Sequence, residues 1–276
     1  MQTPFFTLFT PAYNCENTIH RVFESVAKQT FRDFEWIIIN DGSKDNSSNV
    51  IKDLIAKMQP ADIQITFLEF DNFGKHSVWN KGVKLGKGKF LVPADADDAF
   101  LPESLDFFHQ KITSLSTDEL LSISGINVLC LDNDSDNIVG DKYLEDGYVT
   151  NNFELKYKLD LQGEKWGCIK LDLLKQYPFP EVKHSNYYPE DYVWFTLSKT
   201  YKVICYNKPL RKYYTTNNGI SSSLQRVRSK SERKVYIKYY SWLLFHFGYK
   251  ILIYSPKRFF KHILRIFADM YYVSFK

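Results

Sequence analysis

The stretch Phe90-Leu91-Val92-Pro93-Ala94-Asp95-Ala96-Asp97-Asp98 decides the reading of this chain. Its first residues form a short apolar run with the length and composition of a buried strand, and three carboxylates follow directly on its end. Asp95 and Asp97 occupy alternate positions, so an extended backbone sends both side chains the same way. Two carboxylates on one side suit a hard cation such as Mg2+ or Mn2+, with phosphate oxygens completing the shell. Taken alone, the same residues read as a solvated acidic turn ahead of the helix that begins near Pro102, because Asp is common in turns.

The upstream sequence gives the cluster its context. Phe5–Thr10, Phe34–Asn40 and Ile63–Glu69 are strand-like. They alternate with the helical stretches Asn17–Lys28, Ser47–Met58 and Val78–Leu85, and in the first helix Ile19, Val22, Phe23 and Val26 share one face. Successive strand–helix units predict an α/β fold: a Rossmann-like, mainly parallel sheet flanked by helices, with Phe90–Pro93 as its fourth strand. Ligands of such sheets collect at the carboxyl ends of the strands. Here those ends carry Thr10-Pro11-Ala12-Tyr13-Asn14, Asn40-Asp41-Gly42-Ser43 and the aspartate cluster, three polar segments on one edge. Downstream, a helix is expected to about Leu115, then a buried strand over Leu120–Leu131 and a polar turn over Asp132–Asp141. Residues 150–190 mix aromatic, Gly and Pro residues, which suits a binding surface built from loops.

Composition narrows the function classes. The chain has 276 residues, 44% of them hydrophobic, enough for a sizeable core. Cys15, Cys130, Cys168 and Cys205 lie far apart, which argues against a zinc knuckle or a disulfide framework and fits a reducing cytoplasm. Met1–Thr10 has no basic n-region followed by a long apolar run, so no signal peptide is expected. Gly86-Lys87-Gly88-Lys89 lacks P-loop spacing and implies no ATPase. The net charge of +4 conceals an asymmetry: residues 1–200 hold 20 basic and 30 acidic residues, and residues 201–276 hold 16 basic residues against Glu232 and Asp269 alone. Such a tail suits a polyanion, either nucleic acid or anionic lipid. Its apolar stretch, Trp242 to Tyr254, is shorter than the ~20 residues a spanning helix needs. Two forms remain for it: an in-plane amphipathic helix on an anionic membrane surface, or a helical hairpin packed on the main domain with a solvated basic rim.

Several side chains have both a chemical and a plain structural reading. Asp41 can accept hydrogen bonds from a uracil imide or a ribose, or be an ordinary turn residue. Lys75 and His76, after Asn72-Phe73-Gly74, suit phosphate charge, or a surface lysine and a packed histidine. Glu190 and Asp191 follow Pro189 at a predicted helix start, where the dipole alone favours carboxylates, and either suits a general base acting on an acceptor hydroxyl. Trp166 suits stacking on an acceptor sugar or burial in the core.

Taken in order, these segments resemble the family 2 glycosyltransferases of the GT-A fold, specifically bacterial enzymes that build cell-surface polysaccharides. The resemblance covers about residues 5–220. It rests on Thr10-Pro11-Ala12-Tyr13-Asn14, Gln29-Thr30-Phe31 with Asp33-Phe34-Glu35, Asn40-Asp41-Gly42-Ser43, Asn80 with Gly82, the DxD motif Asp95-Ala96-Asp97, and the ED motif Glu190-Asp191. It implies a catalytic domain over residues 1–220, with a nucleotide-binding half at 1–100 and an acceptor-binding half at 101–220, followed by a basic helical region at 221–276. It further implies a UDP-sugar contacted by Thr10, Pro11, Ala12, Tyr13, Asp41, Lys75, Asn80, Asp95 and Ala96, with Mn2+ or Mg2+ on Asp97 and Asp95. Asp191 is the first choice of base and Glu190 the second, and Trp166 is the acceptor contact. Trp79 stands where many relatives carry Arg, which moves the expected phosphate contact to Lys75. The expected acceptor is a lipid-linked saccharide. Residues 225–276 are expected to rest on the inner face of the cell membrane, with no nucleic acid as partner. Two other readings compete: a metal-dependent phosphoesterase and a non-catalytic saccharide- or lipid-binding module.

Overall fold

The computed structural model describes residues 3–58, 63–182, 187–214 and 228–275. Its first half alternates β1 (Phe6–Ala12), α1 (His20–Ala27), β2 (Phe34–Asp41), α2 (Ser47–Lys57), β3 (Gln64–Phe70), α3 (Lys75–Leu85) and β4 (Phe90–Pro93). The second half runs β5 (Ala99–Phe100), α4 (Ser104–Thr113), α5 (Thr117–Ser122), β6 (Ile123–Asp132), β7 (Tyr148–Thr150), α6 (Asn152–Tyr157), β8 (Lys165–Lys170), α7 (Leu171–Gln176), α8 (Asp191–Leu197) and β9 (Lys202–Tyr213). The helices α9 (Lys230–Tyr254) and α10 (Pro256–Phe275) close the chain. The sheet order is β3-β2-β1-β4-β8-β6-β9-β5, with β7 pairing β9. The first four strands are parallel, as expected from the strand–helix repeats; β8 runs antiparallel to β4 and to β6, so the sheet is mixed beyond β4.

Both faces of the parallel half are covered, which explains why β1 and β2 read as nearly continuous apolar runs. Side chains still alternate between two cores. Leu8, Trp36, Ile38 and Val92 face α1, α2 and α4, whereas Phe9, Ile37, Ile39 and Leu91 face α3, α7, α8 and α9. The buried Trp36 indole spends its one polar atom on Thr10 Oγ1, at 2.9 Å. At Gly82 a Cβ would stand 2.2 Å from the Phe9 ring, so α3 approaches the sheet only because no side chain is present there.

Two element expectations are corrected. The segment assigned to a strand from Leu120 begins as α5, because Ser116 and Glu119 form a capping box that starts a helix; the strand itself starts at Ile123. Residues 150–190 are not chiefly loops. Leu155, Leu171 and Leu174 are buried on α6 and α7, and β8 completes the sheet between them. The tail takes the second of its two expected forms, a helical hairpin packed on the main domain. Val235, Tyr239, Leu243, Phe247 and Ile251 recur along one face of α9 and join the core beneath the sheet, with Phe247 stacked on Phe153 at 4.3 Å between centroids. Pro256 ends α9 and opens α10, which folds back along it through Arg265 to the Tyr240 hydroxyl (3.0 Å) and Arg233 to the buried Asp269 (2.6 Å). Among the described residues no helix is long and apolar enough to cross a membrane.

Candidate active site

The loops after β1, β2 and β3 are stitched together at the carboxyl edge. Asn14, at φ 47°, accepts from the Lys44 amide, and its own amide donates to Ser43 Oγ, both at 2.9 Å. Gly42, at φ 69°, lies so close to the next loop that a Cβ would meet the Asn72 amide at 2.8 Å. Asp41 then clasps that loop, its two carboxylate oxygens accepting from the amides of Phe73 (2.8 Å) and Gly74 (2.9 Å). This fixes the start of α3, one turn earlier than its apolar periodicity indicated, and sets Lys75 at its first position. Burial raises the Asp41 carboxyl, and the two amides oppose that rise.

The aspartate cluster follows β4 and is pinned by β5, whose Phe100 pairs with Arg211 of β9. Arg211 is almost fully buried. It forms an ion pair with Asp98 and comes within 3.3 Å of Asp95. Asp98 is 2% exposed and also accepts from the Tyr214 amide at 3.0 Å, so it serves structure rather than a ligand. Arg21 of α1 lies over the Tyr214 ring, 4.1 Å from its centroid, and donates to the Asp97 carbonyl at 3.1 Å. The two remaining carboxylates differ. Burial would raise Asp95, but Lys75 and Arg211 hold it below the ordinary carboxylate range. Asp97 is pushed up by burial and then by the charge of Asp95. Two like charges in this relation are what a divalent cation relieves. Among the described residues no group of three His, Cys, Asp or Glu side chains assembles to hold a metal. Asp95 and Asp97 therefore fit Mg2+ or Mn2+ only where a ligand such as diphosphate supplies further oxygens.

The acidic pair at the start of α8 divides. Glu190, 54% exposed, meets Lys75 Nζ at 2.9 Å, and Lys75 in turn feels Asp95 and Asp97. Burial alone would lower the Lys75 ammonium; these three carboxylates hold it above its usual value. Asp191 turns the other way, into an ion pair with Lys156 of α6 at a cleft lined by α9 and α10. Of the two, it is Glu190, the second choice from sequence, that borders the aspartate cluster.

Other expected contacts fall differently. Thr10 is fully buried, donating to the Ala94 carbonyl at 2.6 Å and accepting from Trp36, so its side chain lies out of reach of a nucleotide. The methyl groups of Ala12 and Ala96 belong to the core. Asn80 spends its amide on the Phe179 backbone, donating to the carbonyl and accepting from the amide, each at 2.9 Å; it braces the loop ahead of α8. Trp166 is 3% exposed, donates to the Pro93 carbonyl at 2.8 Å and stacks on Phe100, which leaves no face for an acceptor sugar. Pro11 and Tyr13 remain at the edge, with Tyr13 exposed. Sequence reasoning missed Arg211 and Glu164. Burial and the charges of Asp95 and Glu190 raise the Glu164 carboxyl, although Arg211 opposes this most. The sequence carries no signal for Arg211, which reaches the acidic cluster only through the pairing of β9 with β5.

Comparison with known proteins bears on the fold and the family. The family described as "Glycosyl transferase family 2" matches residues 7–118. The putative glycosyltransferase EpsH of Bacillus subtilis is 36% identical over 103 residues, covering 37% of this chain and 29% of EpsH. The first curated relatives are thus matched over less than a third of their own length. An Escherichia coli relative, the UDP-Glc:alpha-D-GlcNAc-diphosphoundecaprenol beta-1,3-glucosyltransferase WfgD, is 26% identical over 223 residues, 79% of each chain. Among solved structures, Staphylococcus aureus TarS 1–349 in complex with UDP-GlcNAc superposes with a TM-score of 0.62 at 19% identity, covering 87% of this chain and 66% of that one. Over residues 7–118 the chain is similar to the family 2 glycosyltransferases, and its fold is similar to that of solved glycosyltransferases of the GT-A type.

Proposed function

We propose that this chain is an inverting glycosyltransferase that moves a hexose or N-acetylhexosamine from a UDP-sugar to the hydroxyl of a lipid-linked saccharide in cell-surface polysaccharide synthesis. The observation that carries this is Lys75, which joins Glu190 to Asp95 and Asp97 at the edge where the β1, β2 and β4 loops meet. In this reading Asp41 holds the loop ahead of Lys75 and borders the uracil, and Lys75 neutralises the diphosphate. Mg2+ or Mn2+ held by Asp95 and Asp97 would supply a Lewis acid for the departing diphosphate. Glu190 takes the proton of the acceptor hydroxyl as that oxygen bonds to the anomeric carbon and the bond to the diphosphate oxygen breaks; attack from the opposite face inverts the centre. The domain reading is retained as part of the proposal, with the donor half at 1–100, the acceptor half at 101–220 and the helical region after it.

The helical region supports a peripheral seat on the inner face of an anionic membrane. Phe245 (85% exposed), Tyr249 and Ile253 of α9 and Phe260, Leu264, Phe267 and Tyr271 of α10 form outward stripes beside the exposed Lys250, Lys257 and Lys261. Calorimetry of the full chain with a panel of UDP- and GDP-sugars, with and without Mn2+, tests the enzymatic reading. Metal-linked binding of a UDP-sugar is expected; no metal-linked heat with any of them overturns it. Co-sedimentation with phosphatidylglycerol but not phosphatidylcholine vesicles is expected for the tail.

A further inference from the structure

A cleft of about 170 Å³ lies where the tail hairpin meets α6 and α8. It is far below the roughly 300–1,000 Å³ of sites that hold a whole small molecule, so its occupant is a chemical group. Four cations line it: Lys156, Arg258, Lys261 and Arg265. Two are matched, Lys156 by Asp191 and Arg258 by Asp160. Lys261 and Arg265 form no ion pair among the described residues, although Arg265 donates to the Tyr240 hydroxyl at 3.0 Å.

His262 sits in the wall between these charges. It stacks on Tyr240, and its Nε2 lies 2.9 Å from the Tyr157 hydroxyl. Its Nδ1 is buried with no hydrogen-bond partner among the described residues. Burial first, and then the four cations around it, drive the imidazole down to about 4. Two unmatched positive charges, tyrosine hydroxyls and a small volume describe a receptor for a compact dianion.

We infer that this cleft is an anion site that takes a phosphate or diphosphate group. Asp191, the member of the ED motif turned away from the aspartate cluster, is its resident carboxylate, and an arriving anion competes with it for Lys156. The exposed stripe of Phe260, Leu264 and Phe267 runs along the same helix as Arg258, Lys261 and Arg265, so a lipid carrying the phosphate has an apolar surface beside it. That identification of the bearer rests on the proposed lipid-linked acceptor; the anion site itself does not.

The test uses the full chain and inorganic pyrophosphate in buffer free of divalent metal. Calorimetry is expected to show binding that weakens about tenfold or more in Lys261→Gln and Arg265→Gln, the loss of a charge-assisted bond, and is kept in Lys75→Gln. Lys261 is exposed, so its variant folds even where the Arg265 variant does not. NMR titration of His262 in the wild type is expected to move up by about one pH unit with saturating pyrophosphate as the anion screens the cations. An unmoved His262, or binding indifferent to both substitutions but lost in Lys75→Gln, overturns the site. Competition separates the sources: displacement of pyrophosphate by phosphatidylglycerol vesicles assigns the phosphate to a bilayer headgroup, and failure to displace assigns it to an acceptor. Pyrophosphate binding without sugar transfer in any assay would sink the enzymatic reading and leave the site standing.

Discussion

Lys75 Nζ lies 2.9 Å from Glu190 Oε1, joining the first residue of α3 to the acid that precedes α8. Both side chains are partly open to solvent, so the pair adds little stability and its importance is positional. It holds one ammonium where Glu190, Asp95 and Asp97 share it, and an incoming diphosphate would take that charge over. Lys75→Gln is therefore expected to cut kcat/KM for the nucleotide-sugar by about 10- to 100-fold, the worth of a charge-assisted hydrogen bond, while the melting temperature stays near wild type. Initial-rate kinetics against donor concentration check this, and an unchanged kcat/KM refutes it.

The divergence of Glu190 and Asp191 gives opposite expectations for neighbouring substitutions. Glu190→Gln removes the carboxylate that borders the cluster, and a loss of general base costs about 100- to 10,000-fold in kcat. Asp191→Asn disturbs only the Lys156 pair at the tail cleft and leaves kcat within about tenfold of wild type. Calorimetry with UDP should find binding intact in both. The reverse order of activities would return the base to Asp191.

Arg211 bears on stability more than on chemistry. Removing one partner of a buried ion pair strands the other charge, so Arg211→Met should lower the unfolding free energy by about 3–5 kcal/mol. Asp98→Asn added to that variant removes the stranded charge and should recover much of the loss. Urea unfolding of the single and double variants decides it; a double variant no more stable than Arg211→Met would mean that Asp98 is not the group left unsatisfied.

These cases show where the sequence was legible. The parallel half was readable because each strand and helix carries its own period, and because strand ends collect the polar residues. What pointed elsewhere depended on partners distant in the chain. Consecutive residues at a helix start point in different directions, and nothing before α8 is docked says which of Glu190 and Asp191 turns toward Lys75. Arg211 meets Asp98 only after β9 pairs with β5. Thr10 reads as a loop hydroxyl until Trp36 and the Ala94 carbonyl take up its bonds. The nearness of Asp95 to Asp97 needed no distant partner, because the two stand two residues apart in the turn that follows β4.

Trp166 tests the correction of an expected acceptor contact. Trp166→Phe keeps most of the apolar volume but loses the bond to the Pro93 carbonyl and leaves a small cavity, so a loss of about 1–3 kcal/mol is expected. Acceptor KM should not change. A raised acceptor KM at unchanged stability would restore the stacking role.

The tail should report pH through His262. The groups facing it are Lys156 and Tyr157 of α6, Asp191 of α8, Tyr240 of α9, and Arg258, Lys261 and Arg265 of its own helix. Its folded value of about 4 lies below the ordinary 6.5, so between these the unfolded chain binds the extra proton and the folded chain does not. The contribution is complete above pH 6.5 and is lost as pH falls toward 4, by about 2 kcal/mol at pH 5 on the linkage relation. Carboxyls raised by burial, such as Asp97, work in the opposite sense, so the comparison must be made against a variant. His262→Gln should be less stable than wild type at pH 7, where the stacked, neutral imidazole is lost, and should close that gap at pH 5. Urea midpoints at the two pH values measure it, and a gap that stays constant would mean that His262 is protonated in the folded tail.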